Sequence, residues 1–230
     1  EITAADSGAT ATSHYALTNV GVCDPYFSSV SLLMHMDDTS LTDVKGNAIT
    51  IVGGAARSAT QSMFGGYSAY INSVGDYLTT PYATARFDWW ATDFTIECYI
   101  YQTAASGYTD GTALKPVLIG NRDATTTSDF WSFGPTSAGT LTFTYYNGAS
   151  QKVVTTTTIS LNVWTHIAMV KWKSSIFLYI NGTLSAFSGV EGTPQSNTGI
   201  PLVIGQGNSS VFHGYVDDLR ITKGVARYTA

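Results

Sequence analysis

Acid–base cleavage of a glycosidic bond needs one carboxylic acid to protonate the leaving oxygen and a second carboxylate across the sugar. The chain has three glutamates, Glu1, Glu97 and Glu191, and only Glu97 lies in a strand-like stretch, "FTIECYIY". Side chains alternate along a strand, so the same-face neighbours of Glu97 are Thr95 and Tyr99, and no second acid stands beside it. Asp217 and Asp218 adjoin each other in "GYVDDLRIT", and the same alternation sends them to opposite faces. There is no G-x-S-x-G elbow, P-loop, H-E-x-x-H motif or cysteine pair at zinc spacing. The histidines, His14, His35, His166 and His213, are scattered. His166 sits among apolar residues and reads as a hydrogen-bonded core histidine. Spacing assembles no acid–base pair and no activated nucleophile, so the expectation is a protein that is not an enzyme.

Sugar recognition asks for something else: flat rings to stack on pyranose faces, with amides and carboxylates nearby for the hydroxyls. "ARFDWWATD" places Trp89 and Trp90 just before a strand. "ASGYTDGT" offers Tyr108 and Asp110 in a long loop, followed by Asn121. These five residues are the candidate ligand-binding set. The alternative is that one tryptophan covers the edge of the core and the other makes a subunit contact, since an exposed Trp serves a protein interface equally well.

The elements that must hold these groups are strands. From Tyr26 onward strand signals recur every ten or so residues, the spacing of a sandwich. The clearest are "VSLLMHM" (30–36), "DFTIECYIYQ" (93–102), "TLTFTYY" (140–146), "WTHIAMVKW" (164–172), "SIFLYI" (175–180) and "VFHGYVDDLRIT" (211–222). Asn147-Gly148 and Asn181-Gly182 each separate two such runs, and Asn-Gly supplies the positive φ angles that a type I′ hairpin needs. Large apolar groups on both faces of "WTHIAMVKW" mark a central strand covered on both sides. No helix of convincing length is visible. The fold expected is all-β: a two-sheet antiparallel sandwich of jelly-roll type spanning 26–230, preceded by an extended arm or linker over 1–25, whose small polar residues carry little periodicity.

Five segments in order, "DPYFSSVSLLMHMD", "TQSMFGGYSAYINSVGDYLTTP", "DFTIECYIY", "NVWTHIAMVKWKSSIFLYINGT" and "GYVDDLRITKGVARYT", resemble the laminin G-like branch of the concanavalin A-like lectin/glucanase superfamily. The first and last look most like versions found in bacteriophage tail-fibre and head-decoration proteins. The resemblance implies a virion surface protein, made in the host bacterial cytoplasm, with other virion proteins as partners. It also implies a homo-oligomer, a trimer by analogy, and host surface glycan as a further partner. "GVARYTA" at the end is expected to reach a neighbour. Members of this branch often hold one calcium ion, so calcium is carried as an optional cofactor with none required, and Asp38, Asp43, Asp217 and Asp218 are its candidate ligands. The plainer alternative is that Asp217 or Asp218 pairs with Arg220, which shares a strand face with Asp218, or caps backbone NH groups at a turn.

Composition narrows the partners. Eleven Lys and Arg against 16 acids leave a net charge of −5, with no basic stripe to neutralise phosphates, so nucleic acid is not expected. No apolar run approaches the length that crosses a bilayer, and no membrane is expected. Hydrophobic residues make up 44% and charged residues 12%, about half the usual charged share. Polarity comes from Ser, Thr, Asn, Tyr and Gly, residues of strands and turns. Cys98 reads as a small buried hydrophobe, and with Cys23 so far away two unpaired thiols are expected rather than a disulfide. The chain begins at Glu1, which suggests a processed or trimmed form.

Overall fold

The computed structural model describes residues 24–88, 90–110, 113–122, 129–148, 150–192, 194–195, 199–207 and 210–229. The strands are β1 (Val30–Met34), β2 (Thr50–Val52), β3 (Ala56–Ser58), β4 (Ser68–Ile71), β5 (Tyr77–Thr80), β6 (Phe94–Gln102), β7 (Tyr108–Asp110), β8 (Ala113–Lys115), β9 (Ile119–Arg122) and β10 (Asp129–Pro135). They continue with β11 (Thr140–Tyr146), β12 (Gln151–Thr158), β13 (Trp164–Trp172), β14 (Ser175–Ile180), β15 (Thr183–Gly189), β16 (Leu202–Ile204), β17 (Gln206–Gly207), β18 (Ser210–Val211) and β19 (Gly214–Lys223). A 3-10 turn at Phe27–Ser29 and one turn of helix, α1 (Thr84–Phe87), complete the described elements.

All strand pairs are antiparallel. One sheet runs β15-β14-β13-β6-β19-β4-β3, with β1 also on β19; the other runs β12-β11-β10-β9-β16-β5-β2. The two form the expected sandwich. Alternation sorts the faces: Phe94, Ile96, Cys98 and Ile100 of β6 join Ile167, Met169, Val216, Leu219 and Ile221 in the core between the sheets. The buried Cys98 is a free thiol, and burial pushes its pKa up; Cys23 lies outside the described residues.

The "WTHIAMVKW" strand is apolar on both faces for a local reason. Its outer-face residues Ala168 and Val170 cluster with Tyr179, against which Ala226 and Tyr228 pack. Among the described residues, part of the cover on this side is the chain's own C-terminal segment, whose Ala226 and Tyr228 fold back onto the sheet. The backbone of this segment is tied down at Thr95, whose hydroxyl donates to Val225 O at 3.0 Å and accepts from Arg227 N at 3.0 Å.

The two Asn-Gly turns differ. Ile180 pairs with Thr183, leaving Asn181 and Gly182 as a two-residue turn with φ of 49° and 76°. At Asn147-Gly148 the closing pair is Tyr146–Gln151, so that loop holds four residues, and the Asn147 side chain accepts from Ser150 N.

β19 changes partners half-way along one edge. Gly214–Val216 pair with β4, whereas Leu219–Thr222 pair with β1. At the junction the register against β6 slips between Asp217 and Arg220, and Asp218 takes φ 49°. This is a β-bulge: one extra residue sits opposite Cys98, and alternation is broken there.

Candidate functional site

The bulge sets the geometry of the outer face. Because Val216 and Leu219 both point into the core, Asp217 and Asp218 stand between two inward residues instead of alternating in and out. Asp218 and Arg220 line a pocket of about 110 Å3 with Glu97, Tyr99, His166, Tyr228 and Phe64. The acids that strand spacing kept apart are thus brought to one face, which is a correction to the spacing argument.

Glu97 is the hub. It is 3% exposed, yet surrounded by donors. Arg220 donates to its Oε1 from Nε at 2.9 Å and approaches from Nη2 at 2.7 Å. Arg227 Nε lies 3.6 Å from the same oxygen. Oε2 takes the Tyr228 hydroxyl at 2.5 Å and His166 Nε2 at 3.3 Å. Burial alone would raise its pKa; His166, Arg220 and Tyr228 outweigh that and hold it at about 2. Charge-assisted bonds of this kind are the strong ones, and a buried carboxylate needs them. The Tyr228 hydroxyl is in turn pushed well above its ordinary value by burial and by the Glu97 charge.

Rings close the pocket. Phe64 meets Tyr99 edge-on at 5.1 Å, and Tyr99 lies 5.0 Å from the His166 ring. Tyr228 stands 6.0 Å from His166 and 5.5 Å from Tyr179. His166 is hydrogen-bonded as expected, but on the outer face rather than in the core.

The paired aspartates seal the gap between β1 and β4. Asp217 is fully buried; its Oδ2 accepts Met63 N at 2.8 Å and Phe64 N at 3.0 Å, which fastens the Phe64 loop over the pocket. Its Oδ1 has no hydrogen-bond partner among the described residues. Burial, with Asp218 and Asp37 nearby, raises its pKa to about 7 against the pull of the two amides. Asp218 Oδ1 meets His35 Nδ1 at 2.7 Å. Arg220 forms ion pairs with Glu97 and Asp24, and the capping of backbone NH groups is realised at Asp217.

The other candidates separate. Trp90 packs on the core edge against Phe94, Phe143 and Tyr145 at 5.5–6.1 Å; Trp89 lies outside the described residues. Tyr108 and Asp110 form the ends of β7, and nothing is described of their side chains. Asn121 is fully buried and its amide donates to Ile200 O, so it is withdrawn from any surface a sugar could reach. Asp38 caps Ser40 N and Thr42 N. Asp43, buried, accepts Leu33 N, Asn47 N and the Asn47 amide. Calcium takes six to eight oxygens gathered at one point. Among the described residues no three His, Cys, Asp or Glu side chains are grouped to hold a metal ion, and the oxygens of Asp38 and Asp43 are taken up by backbone amides and neighbouring side chains.

Sequence reading missed Arg220, Tyr228, Tyr99 and Phe64 as one constellation. The signal present was the alternation of Glu97 and Tyr99; the rest depends on the bulge and on the returning C-terminal segment.

A model of the concanavalin A-like lectin/glucanases superfamily matches residues 72–227. No curated protein matches the sequence significantly. Among solved structures, the binding domain of Paraclostridial Mosquitocidal Protein 1 superposes with a TM-score of 0.67 at 15% identity, over 86% of this chain and 50% of that one. The binding domain of botulinum neurotoxin DC in complex with SialylT superposes with a TM-score of 0.61 at 17% identity, over 86% and 48%. Botulinum neurotoxin type C, whose uptake into cells depends on interaction with two ganglioside molecules, gives 0.63 at 15% identity, over 86% and 49%. The chain spans about half the length of these structures, and at such identities the likeness is one of fold.

Proposed function

We propose that this chain, which belongs to the concanavalin A-like lectin/glucanases superfamily, is a non-catalytic recognition domain that takes a glycan at its outer-face pocket. The observation that carries the reading is the make-up of that pocket: the rings of Phe64, Tyr99, His166 and Tyr228 around the polar groups of Glu97, Asp218 and Arg220. Rings supply apolar contact with a sugar face, and fixed charged groups order its hydroxyls. At about 110 Å3 the pocket is smaller than the roughly 300 Å3 at which drug-sized ligand sites begin. It accommodates one edge of a sugar, which implies micromolar to millimolar affinity.

Catalysis is disfavoured by the same geometry. A general acid works best with a pKa near the working pH. Glu97 at about 2 is a fixed anion, and Asp217, at about 7, is fully buried and holds two loop amides. Of the three structures of like fold, two are named as binding domains, one of these in complex with SialylT, and the third is named for interaction with two ganglioside molecules; these names support a binding role.

The setting we propose is a virion surface, on the resemblance of the two end segments to phage virion domains, with the sandwich displayed and residues 1–25 as the attachment arm. Assembly as a trimer belongs to the same proposal. A glycan array run with the full chain and with Tyr99→Ala tests the binding role: hits that vanish in the variant support it, and an array without hits overturns it. Light scattering on the full chain and on one lacking residues 1–25 tests the assembly; a trimer that dissociates without the arm supports the virion setting, and a monomer indifferent to the deletion counts against it.

A further inference from the structure

A second cavity, about 330 Å3, opens where the 3-10 turn and β1 meet the loop at Lys45, helix α1 and the end of β19. Its lining contains Lys45, Arg86 and Lys223, the residues Ser28, Ser29 and Ser31, and, among the described residues, no acid. Three of the chain's 11 cations therefore gather in one cleft of a protein whose net charge is −5.

The cations are held in place by neutral groups. Lys45 Nζ donates to Phe27 O at 3.1 Å and lies 4.2 Å from the centre of the Phe27 ring. Lys223 Nζ donates to Ala85 O at 2.9 Å. Among the described residues neither ammonium forms an ion pair with a carboxylate. Arg86 Nη1 donates to Lys45 O at 2.8 Å and to Asn47 Oδ1 at 2.9 Å. Asn47 is itself oriented, because its amide donates to Ser31 O and to the buried Asp43. Two acids of neighbouring elements face other groups: Asp43 faces Leu33 N and Asn47, and Asp24 faces Arg220 and Arg227. The positive charge of the cleft is thus uncompensated at its two lysines and preorganised at its arginine, and preorganised cations around a concave site favour an anion. The serines add hydroxyl groups that pair with polyols. The volume lies at the lower end of the roughly 300–1,000 Å3 of ligand sites, large enough for a monosaccharide.

We infer that this cleft binds an acidic sugar, with a carboxylate held among Lys45, Arg86 and Lys223 and the ring hydroxyls set against Ser28, Ser29 and Ser31. This is a site separate from the outer-face pocket, though β19 serves both through Arg220 and Lys223, and it rests on the glycan reading only in taking the anion to be carried by a saccharide. A neutral sugar gains nothing from the lysines, and a bare anion gains nothing from the serines.

The test is an amide NMR titration of the full 15N-labelled chain at low salt with sodium glucuronate, glucose and sodium sulfate in separate runs. Saturable shifts at Ser28, Ser29 and Ser31 with glucuronate, absent with glucose and requiring about tenfold more sulfate, are expected. Lys45→Gln with Lys223→Gln should weaken glucuronate binding about tenfold or more without changing the melting temperature, and Lys223→Gln alone serves if the pair fails to fold. Silence at these serines, equal response to glucose, equal affinity for sulfate, or unchanged binding in the variants would overturn the inference. Shifts confined to Tyr99 and His166 would overturn this site while leaving glycan binding at the outer pocket intact. Shifts confined to the serines would uphold it and remove the outer pocket from the glycan reading.

Discussion

Asp24 and Arg227, 203 positions apart, form a two-pronged ion pair, with Arg227 Nη1 donating to Asp24 Oδ1 at 3.1 Å and Nη2 to Oδ2. Arg220 adds a longer contact to Asp24 at 3.4 Å. The pair clasps the start of the described chain to the segment that carries Tyr228 onto Glu97, so one salt bridge supports the outer-face pocket from below its own rim.

Breaking that clasp should loosen the C-terminal segment before the sandwich. Asp24→Asn is expected to cost about 1–3 kcal/mol, less than a fully buried pair because both side chains are partly exposed. Hydrogen exchange should rise at Val225–Tyr228 while β6 and β13 stay protected. Uniform loss of protection across both sheets would count against a local strap.

Acid should destabilise the fold through Glu97. Its folded pKa of about 2 lies below its ordinary 4.5, so the stabilisation is complete above about 4.5 and is lost as pH falls toward 2. The shift corresponds to roughly 3 kcal/mol. Urea unfolding at a series of pH values should show this decline, and Glu97→Gln should flatten it while lowering stability at pH 7.

Asp217 has the opposite sign. Its folded pKa of about 7 exceeds the ordinary 3.8, so the folded state retains a proton that the unfolded chain has lost. Stability should therefore fall as pH rises from about 4 to 7 and level off above. Asp217→Asn should remove this slope, because the amide oxygen still accepts Met63 N and Phe64 N without carrying charge. A slope that persists in the variant would assign it to another group.

Two adjacent glycines offer a steric test. Gly65 and Gly66 both have positive φ, 59° and 93°. A Cβ on Gly65 would fall 2.0 Å from the Asp37 carboxylate, whereas one on Gly66 meets nothing within 4 Å. Gly66→Ala should cost about 1–2 kcal/mol from backbone strain alone. Gly65→Ala should cost clearly more, since Asp37 must move as well. Equal melting temperatures would show that the Asp37 contact carries no weight.

Trp90 should behave as a core residue. It packs on Phe94, Phe143 and Tyr145, and large aromatic truncations cost about 3–5 kcal/mol when fully buried. Being half-buried, Trp90→Ala is expected near 2–3 kcal/mol by urea unfolding, with glycan binding at the outer pocket unchanged in molecules that remain folded.

Much of the architecture was legible in the residues. Alternation in "FTIECYIYQ" and "WTHIAMVKW", the Asn181-Gly182 turn and the regular spacing of apolar runs are local properties, and local sterics with a period of two suffice to read them. Short strands such as β3 and β5 escaped, because three or four residues carry too little pattern to stand out from a loop. The full burial of Asn121 escaped because a polar residue near a loop looks like a surface residue until its neighbours are placed.

Sequence alone determined the all-β class, the inward face of β6, Cys98 as a small core residue on that face, and a surface poor in charge. Tertiary structure alone decided the site. The bulge between Asp217 and Arg220 arises because β19 must change from β4 to β1 along one edge, a requirement set by strands that lie far upstream in sequence. That one extra residue overturns the alternation from which the aspartates were first placed. The ring wall of the pocket, likewise, comes from a tail whose path is fixed by Asp24 and Thr95. Period-two patterning reports which way a side chain points along a regular strand; it carries no information on where regularity breaks or which distant segment closes over the break.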